Sequence, residues 1–294
     1  MLVDYSESSS DSDQPFKSKN VGTRKRKAED AAPVQVEPKP PPRLPASFHS
    51  LYAANVRTSA TDDPTLHAGR TRQVPHVVGN WSTHVYLEWS PSKTEVGILD
   101  KVLEKAAEAL GSGSGIAGTQ IHSFLRSDLG ALLPLHVSLS APLVLKTEQK
   151  IAFQESLLSK LTKTHLKPFT VHVIGLDWVS NETRSRFFLV LRLTKPDNDE
   201  LNMLLSVCNA VARQFGLATL YDSSRSPQKI DNTHAFHISI AWTLQQPDDQ
   251  AQGQPVDIGV DELRGLTMKF SFLKLKIGNF VADIPFAKHR DWEP

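Results

Sequence analysis

Two short segments of the chain each place a histidine and a serine two residues apart, between apolar neighbours. They are His136-Val137-Ser138-Leu139 and His237-Ile238-Ser239-Ile240. Side chains at positions i and i+2 of a strand share a face, so each segment presents an imidazole and a hydroxyl together while its aliphatic residues anchor the other face. Chance produces roughly 0.15 such segments in a chain of this composition. The matched pair therefore indicates a built site instead of two unrelated strand histidines.

Two imidazoles and two hydroxyls around one small target suit transfer at a phosphodiester. A neutral imidazole accepts the proton of an attacking hydroxyl, and a protonated one donates to the departing oxygen; histidine has both states available near neutral pH. We expect His136 and His237 to be the catalytic acid and base, and Ser138 and Ser239 to bind the phosphate oxygens. The sequence does not say which histidine is the acid. The scheme needs no metal ion, and we expect no metal site and no cofactor.

The remaining motifs and the composition argue against several other classes of protein. The chain has neither a Walker-type phosphate loop nor a metalloprotease helix motif. The glycines of Gly113-x-Gly115-x-x-Gly118 match a dinucleotide fingerprint, but they follow a helical pattern instead of a strand, so we interpret them as a loop. A single cysteine rules out a disulfide framework. The 33 basic and 32 acidic residues give a net charge of +1, which neither requires nor forbids an anionic partner.

The elements around the two segments repeat one order: a strand, a helix, a loop, and then the strand that carries His-x-Ser. In the first half, Ser92 and Glu95 form a capping box that opens a helix after a strand at 83–89. Further predicted strands lie at 135–141, 169–179, 186–194, 235–242, 269–278 and 281–285, and further helices at 147–163 and 199–214. The sequence therefore predicts an α+β fold with two pseudo-symmetric lobes, each an antiparallel sheet with helices, around a central cleft.

The first 70 residues differ in amino-acid composition from the rest of the chain. They are rich in proline, serine and charge, and they contain the basic patch Arg24-Lys25-Arg26-Lys27 and a proline-rich stretch at 39–45. Such a segment buries too little apolar surface to fold alone, and the patch is typical of nuclear localisation signals. We expect a disordered tail at 1–70, a catalytic domain at 71–294, and no segment that crosses a membrane.

Four blocks of the sequence resemble the two-histidine (2H) phosphoesterase superfamily, and more closely its branch of U6 small nuclear RNA phosphodiesterases. The blocks are Pro75-His76-x-x-Gly79-Asn80-Trp81-x-Thr83-His84-Val85-Tyr86, Leu135-His136-Val137-Ser138-Leu139-Ser140, Thr183-Arg184-Ser185-Arg186-Phe187 and Phe236-His237-Ile238-Ser239-Ile240-Ala241-Trp242. The first block is specific to the branch, whereas the histidine motifs alone indicate only the superfamily.

The resemblance implies a nuclear, metal-independent 3′-to-5′ exoribonuclease that trims the uridine tail of U6 RNA and leaves a 2′,3′-cyclic phosphate. It also implies that Tyr221 stacks on the terminal base, and a monomer is the simplest expectation. Three points stay open: whether the cyclic end is opened to a 3′-phosphate, whether the substrate is instead a small cyclic nucleotide, and whether the chain is a catalytically silent RNA-binding module.

Overall fold

The computed structural model describes residues 77–114, 120–222, 231–247 and 261–287. The expected tail at 1–70, with its basic patch and proline-rich stretch, lies outside these residues, as does most of the glycine loop. The described part contains ten strands and three α-helices. The strands are β1 (Asn80–Trp89), β2 (His122–Ser123), β3 (Leu135–Ser138), β4 (Leu143–Lys146), β5 (Phe169–Ser180), β6 (Phe187–Leu193), β7 (His237–Thr243), β8 (Thr267–Phe270), β9 (Phe272–Ile277) and β10 (Phe280–Pro285). The helices are α1 (Lys93–Ser114), α2 (Lys150–Thr162) and α3 (Glu200–Gln214).

All ten strands belong to one sheet, and every pairing between them is antiparallel. The order along the sheet is β10-β9-β1-β3-β7-β6-β5-β8, with β4 beside β1 and β2 beside β7. The predicted α+β class is therefore confirmed. The two expected halves are not separate sheets, because β3 of the first half pairs with β7 of the second half. The strands that carry the two His-x-Ser segments are thus neighbours at the centre of the sheet.

The helix after β1 begins as the sequence predicts. The Ser92 backbone N–H donates to the Glu95 carboxylate at 2.6 Å, and the Glu95 backbone N–H donates to Ser92 Oγ at 3.3 Å. This reciprocal capping box satisfies two N–H groups that α1 itself cannot pair. The apolar stripe of α1 is buried in the core and consists of Val96, Leu99, Val102 and Ala106. The corresponding buried stripe of α3 consists of Leu201, Leu204, Leu205, Cys208 and Val211.

Several element boundaries differ from the prediction. Helix α1 extends through Ser114, so Gly113 lies in the helix instead of in the predicted loop. The second helix begins at Lys150, because the residues before it form a 3₁₀ turn in which Gln149 accepts the Lys146 backbone N–H at 2.9 Å. The strand predicted at 269–278 is split at Ser271 into β8, which pairs with β5, and β9, which pairs with β1 and β10. Since one residue separates β8, at one end of the sheet, from β9, the second strand at the other end, the sheet curls and brings these two regions together.

Alternation along β1 separates the core from the face that carries the site. Val85 and Leu87 are buried in the hydrophobic core, whereas His84, Tyr86 and Glu88 between and beside them are half-buried on the other face. Among the described residues, no helix is both long and apolar enough to cross a membrane.

Candidate active site

The register between β3 and β7 brings all four predicted residues to one face of the sheet. Val137 pairs with Ile238 in antiparallel register, so His136 lies opposite Ser239 and Ser138 lies opposite His237. Each imidazole therefore has a hydroxyl beside it on its own strand and another across the strand pair. Val137 and Ile238 are fully buried on the opposite face, which fixes the position of these strands.

The imidazole of His237 is oriented by the backbone just before its strand. His237 Nδ1 lies 2.7 Å from the carbonyl oxygen of Ala235. A carbonyl oxygen only accepts, so Nδ1 carries the hydrogen and Nε2 is left to exchange a proton with a ligand. A cavity of about 490 Å³ opens beside it, and its lining includes His237 and Ser239.

An arginine on the neighbouring strand fixes the segment that leads into His237. Arg192 is the register partner of His237 on β6. Its Nε and Nη2 donate to Asp177 Oδ2 at 3.0 and 2.5 Å, and its Nη1 donates to the carbonyl of His234 at 2.8 Å. Arg192 thus joins a buried carboxylate on β5 to the backbone that holds the imidazole of His237.

Tyr221 lines the same cavity as His237 and Ser239. Its backbone adopts the left-handed conformation, with φ of 52°, and its ring packs edge-on against Phe236 at a centroid distance of 6.1 Å. Burial raises the pKa of the Tyr221 hydroxyl, so the side chain remains neutral near physiological pH. The residue that the family resemblance implies for base stacking therefore lies beside the second His-x-Ser segment.

A third histidine, which the pattern of the two His-x-Ser segments does not include, lies on β1. His84 Nε2 is 3.2 Å from Ser138 Oγ, and the His84 ring meets the His136 ring edge-on at 5.3 Å. Tyr86 stacks on His84 at 5.2 Å and meets His136 at 5.5 Å. The signal available in the sequence was the alternation of His84, Tyr86 and Glu88, but only the pairing of β1 with β3 shows that these residues face the two segments.

Two lysines of β9 border this row of aromatic side chains and differ in their surroundings. Lys274 is buried, and its Nζ lies 3.3 Å from a Glu88 carboxylate oxygen and 3.0 Å from an Asp283 oxygen. Lys276 is half-buried and is the register partner of His84. Lys274 is thus neutralised by two carboxylates, while Lys276 contributes positive charge beside the histidines.

The three imidazoles are all harder to protonate than free histidine. Burial, followed by the charges of His136 and Lys276, lowers the pKa of His84 to about 3. Burial among surrounding protein atoms, followed by the charges of His237 and Lys276, lowers the pKa of His136 to about 4, although the residue keeps solvent-exposed surface. Burial also lowers the pKa of His237; the Ala235 carbonyl acts in the opposite direction, the charge of Arg192 lowers the pKa further, and Asp177 raises it by less. Adjacent imidazoles that repel a second proton are suited to hold one proton between them.

The site offers acid–base groups and hydrogen-bond donors. Within the described parts of the chain, no group of three His, Cys, Asp or Glu side chains is arranged to hold a metal ion. The chemistry that the geometry supports is proton transfer by two imidazoles on one face of the sheet, with the two hydroxyls beside them placed to bind an anionic oxygen.

Comparisons with known proteins agree with this geometry. A family model described as HVSL, an uncharacterised conserved protein, matches residues 42–285. U6 snRNA phosphodiesterase 1 from Neurospora crassa is 35% identical to this chain, and the match covers 84% of this chain and 76% of the relative. U6 snRNA phosphodiesterase 1 from Homo sapiens is 27% identical over 254 residues, which span 86% of this chain and 83% of the relative.

A solved structure shows the same fold. Kluyveromyces marxianus Usb1 superposes with a TM-score of 0.53 at 22% identity, covering 69% of this chain and 97% of that protein. The sheet and helices described above are therefore a known arrangement. From the family model and the Neurospora relative, the chain belongs to the HVSL family, the family of U6 snRNA phosphodiesterase 1.

Proposed function

We propose that this chain is an RNA phosphodiesterase that removes nucleotides from the 3′ end of RNA ending in uridines, with U6 small nuclear RNA as its substrate. The observation that carries the proposal is the facing pair of His-Ser segments on β3 and β7. The relatives named U6 snRNA phosphodiesterase supply the substrate class.

The reaction is a transesterification within the RNA. The 2′-hydroxyl of the penultimate nucleotide attacks the adjacent phosphorus and gives its proton to a neutral imidazole. The bond from phosphorus to the 5′-oxygen of the terminal nucleoside breaks, and that oxygen takes a proton from a protonated imidazole. A 2′,3′-cyclic phosphate remains on the shortened RNA. Ser138 and Ser239 donate to the non-bridging oxygens, whose negative charge grows during the reaction.

The surroundings of the two imidazoles favour one assignment of roles. His136 lies near His237 and Lys276, and its pKa is lowered to about 4, so it remains neutral and accepts the proton of the 2′-hydroxyl. Burial and the charge of Arg192 also lower the pKa of His237, but the hydrogen bond to the Ala235 carbonyl favours its protonated ring, so the proton shared by the pair is assigned to His237. His136 is therefore the base and His237 is the acid.

The cavity beside His237 provides the place for the terminal nucleoside. Its volume of about 490 Å³ lies in the range of small-molecule sites, and Tyr221 forms part of its wall. Stacking of an aromatic ring on a base contributes about 1–3 kcal/mol and tolerates different bases. Tyr221 thus stacks on the base of the terminal uridine, and the 5′-oxygen of that uridine lies near His237.

Nuclear localisation, a monomeric state and a dispensable tail belong to the same proposal. Nuclear localisation follows from the U6 substrate and from the basic patch at 24–27, which lies outside the described residues. Deletion of residues 1–70 should leave activity in vitro unchanged, because the four proposed acid–base and phosphate-binding residues lie within the described strands.

The test is digestion of a short RNA ending in uridines by the purified chain in excess chelator, with the RNA ends identified by mass spectrometry. Wild type should release one nucleotide at a time and leave a cyclic phosphate, and H136A and H237A should each be slower by about 10² or more. Binding of RNA without turnover would indicate a catalytically silent RNA-binding module. Turnover confined to small cyclic nucleotides would indicate a cyclic nucleotide phosphodiesterase instead.

The roles of the two histidines can be tested with an altered leaving group. A substrate whose scissile 5′-oxygen is replaced by sulfur needs no protonation when the bond breaks, because a thiolate leaves readily. This substrate should restore the rate of H237A but not that of H136A. If this substrate restored the rate of H136A and not that of H237A, His136 would be the acid and His237 the base.

A further inference from the structure

His84 belongs to neither His-x-Ser segment, yet its imidazole contacts one of their hydroxyls. Its Nε2 lies 3.2 Å from Ser138 Oγ, and its ring lies within the same group of rings as Tyr86 and His136. The contact joins β1 to β3, so it arises from the pairing of these strands and not from local sequence. A half-buried imidazole that touches a proposed phosphate-binding hydroxyl is placed to control that hydroxyl.

The Ser138 hydroxyl has a single hydrogen, and the direction of its contact with His84 decides where that hydrogen points. If His84 Nε2 accepted, the hydrogen would point at His84, and the phosphate would meet only lone pairs. If Nε2 carries a hydrogen and donates, the Ser138 oxygen is the acceptor, and its own hydrogen remains for an anionic oxygen. Only the second arrangement makes Ser138 a donor to phosphate.

Building on the proposed function, we infer that His84 is a positioning residue: as a neutral imidazole it donates from Nε2 to Ser138 Oγ and thereby directs the serine hydrogen at the substrate phosphate. His84 itself exchanges no proton in the reaction. The charge state fits this role, since burial and the neighbouring His136 and Lys276 lower the pKa of His84 to about 3 and keep the ring neutral.

The chain contains a matched contact that serves as a control. His172 Nδ1 lies 3.1 Å from Thr267 Oγ1, which joins β5 to β8. This is also a cross-strand histidine–hydroxyl pair, but neither residue lines the cavity beside His237. H172F therefore controls for the loss of a cross-strand histidine–hydroxyl hydrogen bond; because His172 is exposed and His84 is half-buried, the melting temperatures of both variants are measured as well.

The first measurement reads the tautomer directly and does not depend on activity. In a chain labelled with ¹⁵N histidine, the ring nitrogens of His84, assigned by comparison with H84F, should report hydrogen on Nε2 and none on Nδ1 at neutral pH. A hydrogen on Nδ1 instead would overturn the inference, because Nε2 would then accept from Ser138.

The second measurement is a double-mutant cycle with H84F, S138A and the combined variant on uridine-ended RNA. H84F should lower kcat by about tenfold with little change in KM, as expected for one misdirected hydrogen bond to a growing charge. In the S138A background the same change should matter less than about twofold, because the hydroxyl that His84 directs is absent. H172F should retain wild-type kcat.

If H84F melts at a lower temperature than wild type, the double-mutant cycle can be repeated with H84N. The shorter asparagine side chain also cannot contact Ser138. Equal losses with and without Ser138 would refute positioning through this serine. A wild-type chain that leaves RNA intact would instead refute the proposed function, while the tautomer measurement would still decide the hydrogen bond.

Discussion

Replacement of Arg192 by methionine should weaken both the fold and the site, for separable reasons. The change keeps most of the aliphatic length of the side chain but removes the guanidinium. Asp177 would then be left without its cation, with its side chain only 9% exposed. The carbonyl of His234 would also lose the Nη1 donor that holds it at 2.8 Å.

The size of the stability loss follows from these contacts. Breaking a buried ion pair costs about 3–5 kcal/mol, but the Arg192 side chain is 23% exposed, so the lower end applies. We expect R192M to lower the free energy of unfolding by about 3 kcal/mol. The double variant D177L/R192M removes both charges together and should recover most of this loss.

Activity should respond differently from stability. The double variant still lacks the donor to His234, and the next residue, Ala235, is the one whose carbonyl orients His237. The turnover of D177L/R192M should therefore remain at least about tenfold below wild type although its stability returns. Urea unfolding followed by tryptophan fluorescence gives the stability, and single-turnover cleavage of uridine-ended RNA gives the rate. Full activity in the stable double variant would refute the claim that Arg192 acts on the site through this backbone.

Three further predictions concern a glycine in a turn, the cysteine, and the pH dependence of stability. Gly278→Ala should cost about 1–3 kcal/mol in urea unfolding, because φ is +61° and the new Cβ would lie 2.8 Å from the Trp81 ring; an unchanged midpoint would contradict this. Cys208, whose pKa burial raises to about 12, should resist thiol reagents at neutral pH until urea unfolds the chain, and rapid labelling of the folded protein would show that it is accessible. Stability should fall as the pH drops below 6.5, because the folded pKa values of about 3 and about 4 for His84 and His136 mean that the unfolded chain binds more protons; equal unfolding free energies at pH 7 and pH 5 would contradict this.

Local patterns predicted the parts of the fold that are determined locally. The capping box of Ser92 and Glu95 and the apolar stripe of α1 are short-range features, and both are present in the structure. The α+β class followed from the alternation of such elements. The division of one predicted strand at Ser271 did not, because it depends on which distant strands β8 and β9 join.

The site shows the same division between local and distant information. The alternation of His136 with Ser138 marked a site face within one strand, without any knowledge of its neighbours. The contact of His84 with Ser138 and the contact of Arg192 with the His234 carbonyl join residues that are far apart in sequence. These contacts depend on strand register and on the direction of each side chain. Neither can be read from a single sequence before the pairing of the strands is known.

In the proposed reaction, the imidazoles of His136 and His237 catalyse attack by a 2′-hydroxyl of the RNA itself. The most direct measurement compares two RNAs that end in uridines and differ only in the 2′-hydroxyl of the penultimate nucleotide, under single-turnover conditions in excess chelator. The deoxy substrate should bind but release its terminal nucleoside at least about 10³-fold more slowly, because the nucleophile is missing. Equal rates on the two RNAs, with no cyclic phosphate formed, would contradict this mechanism.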